Sequence, residues 1–102
     1  MTTMAQAARN ADLAEARRQL NRQYPVWWPK LDRVRQDVLV ELTVEIVGLG
    51  VTELDRIVHY VKVEDYALAS ASLLMTPWTE RTGQRAWRLA AALKNGVADP
   101  IP

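Results

Sequence analysis

No cysteine occurs in the chain, which removes disulfide bridges and thiolate metal sites together. His59 is the only histidine, so no cluster of imidazoles can hold a metal. A lone histidine in a helical stretch reads as a surface or core residue rather than a catalytic base. No apolar run approaches the ~18 residues that span a bilayer, and the N-terminus shows no apolar secretory stretch. The expectation is a soluble protein made in a cytoplasm. An excess of one charge is lacking as well: Lys and Arg number 13 against 12 Asp and Glu, for a net +1. A nucleic-acid binder would concentrate basic residues on one face. Here Arg17 and Arg18 lie near Asp12 and Glu15, and Arg33 and Arg35 are followed by Asp37. These read as solvated helix faces. Gly48-Leu49-Gly50 lacks the third glycine of a phosphate loop. No cofactor and no nucleic-acid partner are expected.

What is present suits one small helical domain. The 102 residues are 49% apolar and 25% charged, a globular balance. Thr3 to Arg22 is rich in the strong helix formers Ala, Gln, Arg and Leu. Its apolar stripe is loose, which implies a long, partly exposed helix. Tyr24-Pro25-Val26-Trp27-Trp28-Pro29 then stops the helix with two prolines and gathers three aromatics. Trp27 and Trp28 read as core and rim rather than a ligand box.

Asp32 is a good N-cap, but the segment after it is ambiguous. Val40-Glu41-Leu42-Thr43-Val44-Glu45-Ile46 alternates apolar and polar and is rich in β-branched residues, a half-buried strand by pattern. As a helix from Arg33 to Val47, the same residues place Arg33, Asp37, Glu41 and Glu45 on one charged stripe. Both readings are coherent, and the local sequence slightly favours the strand. Beyond Gly48 and Gly50, Thr52 can cap a short helix with Leu54, Ile57, Val58 and Val61 on its buried side. Glu64 to Met75 reads as another helix, with Tyr66, Ala67, Ala71 and Leu74 at helical spacing. Thr79 to Gly83 reads as a turn. A last helix from Gln84 to Lys94 carries Ala86, Trp87, Leu89, Ala90 and Leu93 and stops at Asn95-Gly96.

From Tyr24 onward the order of these signals resembles phage-type lysozymes, the muramidases used as endolysins and tail lysozymes. The family's Tyr-Pro-Trp segment and Leu-Asp-x-Val-Arg helix stand here as Tyr24-Pro25-Val26-Trp27-Trp28 and Leu31-Asp32-Arg33-Val34-Arg35. Its Phe-Asn-Leu-Gly helix end is approximated by Val44-Glu45-Ile46-Val47-Gly48. Its Ser-x-Trp segment is answered by Thr76-Pro77-Trp78, and its closing helix by Gly83-Gln84-Arg85-Ala86-Trp87-Arg88-Leu89-Ala90 with Asn95-Gly96. The resemblance covers about three-quarters of the chain. It implies helix, not strand, over Arg33 to Val47. It also implies an all-α fold: a compact bundle of five to six helices like the family's C-terminal lobe, preceded by a long N-terminal helix. The single domain 1–102 then divides into a long helix (1–23), a helical core (24–96) and an irregular tail (97–102). Val38, Leu42, Ile46, Ile57, Leu74, Trp87 and Leu89 are expected in one core.

The family carries its general-acid Glu, an Asp or Cys, and a Thr in an N-terminal lobe ahead of the long helix, and this chain starts at that helix. The resemblance therefore implies no catalytic residue here. Glu41 and Glu45, one helical turn apart, could bring their carboxyls within glycosidase range. They would stand side by side without an opposing wall, so an acidic stripe is the preferred reading. Arg85 answers a family arginine that reaches the catalytic acid, and its partner here would be Glu45 or Glu41. Trp78 answers a cleft aromatic, as a sugar platform or as core. Glu41, Glu45, Trp78 and Arg85 thus form a candidate remnant cleft with at most weak contact to peptidoglycan.

Loss of a lobe would uncover a partly apolar face that calls for a partner. Met4, Leu13 and Leu20 are its candidate interface residues, meeting a second copy or another protein. The implied role is a structural or interaction protein of a phage or prophage, made in the bacterial cytoplasm and assembled into a virion tail or baseplate. Two alternatives stand beside it: the non-catalytic half of a split endolysin, and a small helical inhibitor of a host protein.

Overall fold

Thr3 opens the first helix with a reciprocal cap. Its hydroxyl accepts from the Gln6 amide at 3.1 Å, and the Gln6 side chain accepts from the Thr3 amide at 2.9 Å. In the computed structural model, which describes residues 3–98, helix α1 then runs over Met4–Gln23. Leu13, Ala16 and Leu20 lie on one side of it and pack onto the core. Leu20 is only 3% exposed, so it is a core residue and not a free interface residue, a correction to the sequence reading. The apolar stripe of α1 is narrow because the helix touches the body along one edge.

Tyr24, Trp27 and Trp28 form an aromatic chain with ring centroids 4.9 and 6.3 Å apart. A 3-10 turn over Trp28–Lys30 buries Trp28 to 2% exposure, with Trp27 half-buried at the rim. Asp32 then caps α2 (Arg33–Val44) by accepting from the Arg35 amide. The strand-like stretch is therefore helical as far as Val44. Val38, Leu39, Val40 and Leu42 are all buried, because α2 lies in the middle, flanked by α1, by α4 (Val51–Lys62) and by α7 (Gln84–Asn95). A central helix needs apolar residues on more than one side, and in a short window that resembles alternation.

The helix reaches Val44 rather than Val47. Glu45 ends it, and a separate short turn α3 (Ile46–Leu49) follows. The Thr43 hydroxyl donates back to the Leu39 carbonyl at 2.7 Å in the last turn, a bond that bends helices. Gly50, not Thr52, is the N-cap of α4, with a positive φ of 106° that glycine adopts without strain. Leu54, Ile57, Val58 and Val61 are buried as expected.

Helix α4 stops in a Schellman motif. The Glu64 amide donates to the Val61 carbonyl at 3.0 Å and the Asp65 amide to Tyr60 at 2.8 Å. This puts Glu64 at φ 62°, the one non-glycine residue with positive φ among the described residues. Its side chain is exposed, so nothing offsets the left-handed strain. Glu64→Gly is expected to raise stability by roughly 0.5–1 kcal/mol, read as a higher urea midpoint with unchanged slope. A lower midpoint would show that the glutamate side chain holds the turn.

Asp65 caps α5 (Tyr66–Leu74). Its buried residues are Ala69, Ser70 and Leu73, while Ala67 and Ala71 are exposed; the register is turned from the expected one. Ser70 Oγ donates to the Ala90 carbonyl at 2.8 Å, which lets α5 and α7 approach closely through small side chains. Thr79 to Gly83 is not a turn: Pro77–Thr82 is helix α6. Proline at the first helical position and the buried hydroxyls of Thr76 and Thr79, both donating to Leu73 O, secure its start.

Helix α7 buries Ala86, Ala90, Ala92 and Leu93. Trp87 is 59% exposed and does not belong to the core; one position along from Ala86, it projects from the other side of the helix. Ile46, Leu74 and Leu89 are partly buried against the core rather than inside it. Gly96 closes α7 in the left-handed conformation. Val97 and Ala98 follow without helix, and the rest of the expected irregular tail, 99–102, lies outside the described residues. The fold is thus all-α: among the described residues, a long helix is followed by six shorter α-helices. Among the described residues, no helix is long and apolar enough to cross a membrane.

Candidate functional site

Four sequence-predicted residues converge where α2, α6 and α7 meet. Arg85, near the start of α7, reaches across to α2 and donates to both acids. Its Nη2 lies 2.6 Å from Glu41 Oε2, and its Nη1 lies 3.0 Å from Glu45 Oε1. The same guanidinium carbon stands 5.9 Å from the centre of the Trp78 ring. The spacing of Glu41 and Glu45 places both carboxyls on the side of α2 that faces α7.

Trp78 itself is only 4% exposed. A Cβ at Gly48 would stand 3.3 Å from its Cδ1, so α3 passes directly over the ring edge. Arg81 ties the same corner by donating to the Gly48 carbonyl at 2.8 Å. The indole is a packed wall with no open face for a sugar ring, which decides between its two sequence readings in favour of core.

Arg9 completes the cluster, and no sequence reading singled it out. From α1 it donates to Glu41 Oε2 at 2.6 Å. Arg9, Leu13, Ala16 and Leu20 recur at steps of four, three and four, so the signal was the helical phase of α1. Met4, by contrast, is 91% exposed and Leu13 half-buried; neither takes part.

Glu41 sits between two cations. Partial burial disfavours its charge, yet the hydrogen bonds and charges of Arg85 and Arg9 outweigh that and hold its carboxyl below the ordinary glutamate range. Burial likewise works against Arg85, and Glu41 and Glu45 overcome it, raising its pKa. Because the folded pKa of Glu41 is depressed, its stabilising contribution is present at neutral pH. It is lost only in acid, as pH falls through that lowered value.

A second group extends along the same face of α2. Asp37 accepts from Arg33 Nε at 2.9 Å and is ion-paired with Arg17 of α1. Arg88 stands beside it on α7. Arg35, read from sequence as part of a solvated face, is instead held in the fold: its Nε and Nη2 donate to the carbonyls of Leu93 and Lys94. His59 is an exposed residue of α4. Among the described residues, no three His, Asp or Glu side chains gather as a metal site.

The cluster can pin α1, α2 and α7 together through one buried-edge ion network. Both carboxyls bind the one Arg85 guanidinium, and that of Glu41 is held below, not above, its ordinary range. In comparisons with family models, curated proteins and solved structures, nothing matches the chain.

Proposed function

We propose that the chain is a catalytically silent interaction module built on the helical lobe of phage-type lysozymes, serving as a structural protein of a virion or prophage particle. The observation that carries the silent part is Arg85 bridging Glu41 and Glu45. Glycoside hydrolysis places two carboxyl groups on either side of the scissile bond, one protonated with a raised pKa. Here both carboxyls share one guanidinium, so no sugar fits between them, and the pKa of Glu41 is shifted in the wrong direction for a general acid. The ordered motifs from Tyr24 to Gly96 support the lysozyme ancestry. The narrow contact of α1 with the body supports an open face for a partner.

Purified protein is expected to release no reducing sugar from peptidoglycan between about pH 4 and 8, a range in which glycosidase acids work. Glu41→Gln and Glu45→Gln should be equally inert. Turnover by the native chain that either substitution abolishes would defeat the proposal outright.

A further inference from the structure

Helix α1 has two parts that meet the body differently. From Leu13 onward it is anchored: Ala16 and Leu20 are buried, Leu13 is half-buried, and Arg17 is ion-paired with Asp37 of α2. Residues 3–12, by contrast, are exposed throughout. Among the described residues, their side chains make one ion pair to another element, from Arg9 to Glu41. A helical stretch of this length is marginal without support from the body.

That one tie can open without stranding a charge. Arg9 Nη2 and Arg85 Nη2 each lie 2.6 Å from the same oxygen, Oε2 of Glu41. When Arg9 leaves, Glu41 keeps Arg85, and Arg9 is already exposed, so its guanidinium enters water at little desolvation cost. The Glu41 carboxylate is what holds two guanidiniums at one point. Facing it are Arg9 and Arg17 from α1, Arg85 and Arg88 from α7, and Asp37 and Glu45 along α2 itself. Of the two other acids, Asp37 is engaged by Arg17 and Arg33, and Glu45 by Arg85. A neutral Glu41 therefore leaves Arg9 beside another cation, with both remaining carboxylates already taken.

We infer that residues 3–12 of α1 form a latched arm, held to the body by the charge of Glu41 and released when that charge is lost, while the rest of α1 stays docked. Arg85 stays with Glu45, and Arg9, on the element with no buried side chain, is the partner that moves. Because the pKa of Glu41 is depressed, the latch is closed at neutral pH and opens only in acid, as pH falls through that lowered value.

The test follows the full chain by NMR from neutral pH to about pH 2.5, across the carboxylate range. The Cα shifts of residues 4–12 are expected to move from helical toward coil values with the same midpoint as the Glu41 side-chain carboxyl. Their helix-to-coil ratio should fall about two- to fivefold, the range for one exposed ion pair, while the shifts of Leu54 to Val61 hold. At neutral pH, Arg9→Gln should loosen the arm to the same degree and abolish its acid transition. Glu45→Gln should leave the arm latched, because Glu41 still holds Arg9. An arm whose shifts stay constant in acid overturns the inference, as does one that loosens only together with α4. So does an acid transition that survives in Arg9→Gln, because it then follows Asp12 within the arm and not Glu41.

Discussion

Trp28→Ala is expected to destabilise the protein by about 3–5 kcal/mol, the range for deleting a large buried aromatic. The ring is 2% exposed and belongs to the main core cluster. Its loss leaves a cavity and also removes the edge-on neighbour of Trp27, which in turn stacks near Tyr24. That chain of rings is the connection between α1 and α2, closed from the other side by the Gln36 side chain donating to the Trp28 carbonyl at 2.8 Å. For a domain near this size, 1 kcal/mol corresponds to roughly 4–8 °C. Thermal unfolding should therefore fall by roughly 12 °C or more, with α1 amides losing hydrogen-exchange protection first. Trp28→Phe should recover more than half of the loss. A drop below about 1 kcal/mol would mean that the core closes without the indole.

Arg35→Met is the second large effect, expected at about 2–4 kcal/mol although a charged residue on an amphipathic helix is commonly dispensable. The side chain is 13% exposed. It donates to Leu93 O at 2.6 Å and Lys94 O at 2.8 Å, the carbonyls left open at the end of α7. It also bonds Asp32 at 3.0 Å and lies 3.5 Å above the Tyr66 ring. One guanidinium therefore neutralises a helix dipole, satisfies two orphan acceptors and stacks on an aromatic face. Methionine keeps the stem and loses all four contacts. Arg35→Lys should recover less than half, since an ammonium cannot make the same planar fork. Urea unfolding of the three proteins measures this directly, and a lysine variant as stable as the native chain would refute the fork argument. Gly96 belongs to the same arrangement: a Cβ there would stand 2.9 Å from Arg35 Nη1.

Much of the helical outline was readable because its signals are local. Asp32 caps the helix that follows it, as its position before Arg33 announced. Pro25 and Pro29 bracket the break after α1, and Gly96 ends α7. The buried side of α4 was also legible, since Leu54, Ile57, Val58 and Val61 form a clean stripe beside polar residues. Errors occurred where small or aromatic residues surround a helix. Alanine carries little phase information, so the register of α5 was misplaced and Trp87 was assigned to the wrong side of α7. At the candidate site, the pairing of Arg85 with Glu41 or Glu45 was an expectation of the lysozyme resemblance, while Arg9 arrives from 32 residues away and only the helical phase of α1 hints at it.

By itself, then, the sequence determined the break after α1 at Tyr24 to Pro29, the stop of α7 at Gly96 and the exclusion of cysteine-based and multi-histidine metal sites. It left Val40 to Ile46 balanced between strand and helix, because backbone propensities there differ by a fraction of a kcal/mol per residue. Tertiary structure decided that segment: enclosure by α1, α4 and α7 makes burial on several sides favourable, and only a helix presents Val38, Leu39, Val40 and Leu42 to all three neighbours at once. It also decided which arginines are structural. Arg33 and Arg35 are two residues apart in the same helix, yet one lies in solvent and the other caps α7, because α7 ends beside only one of them.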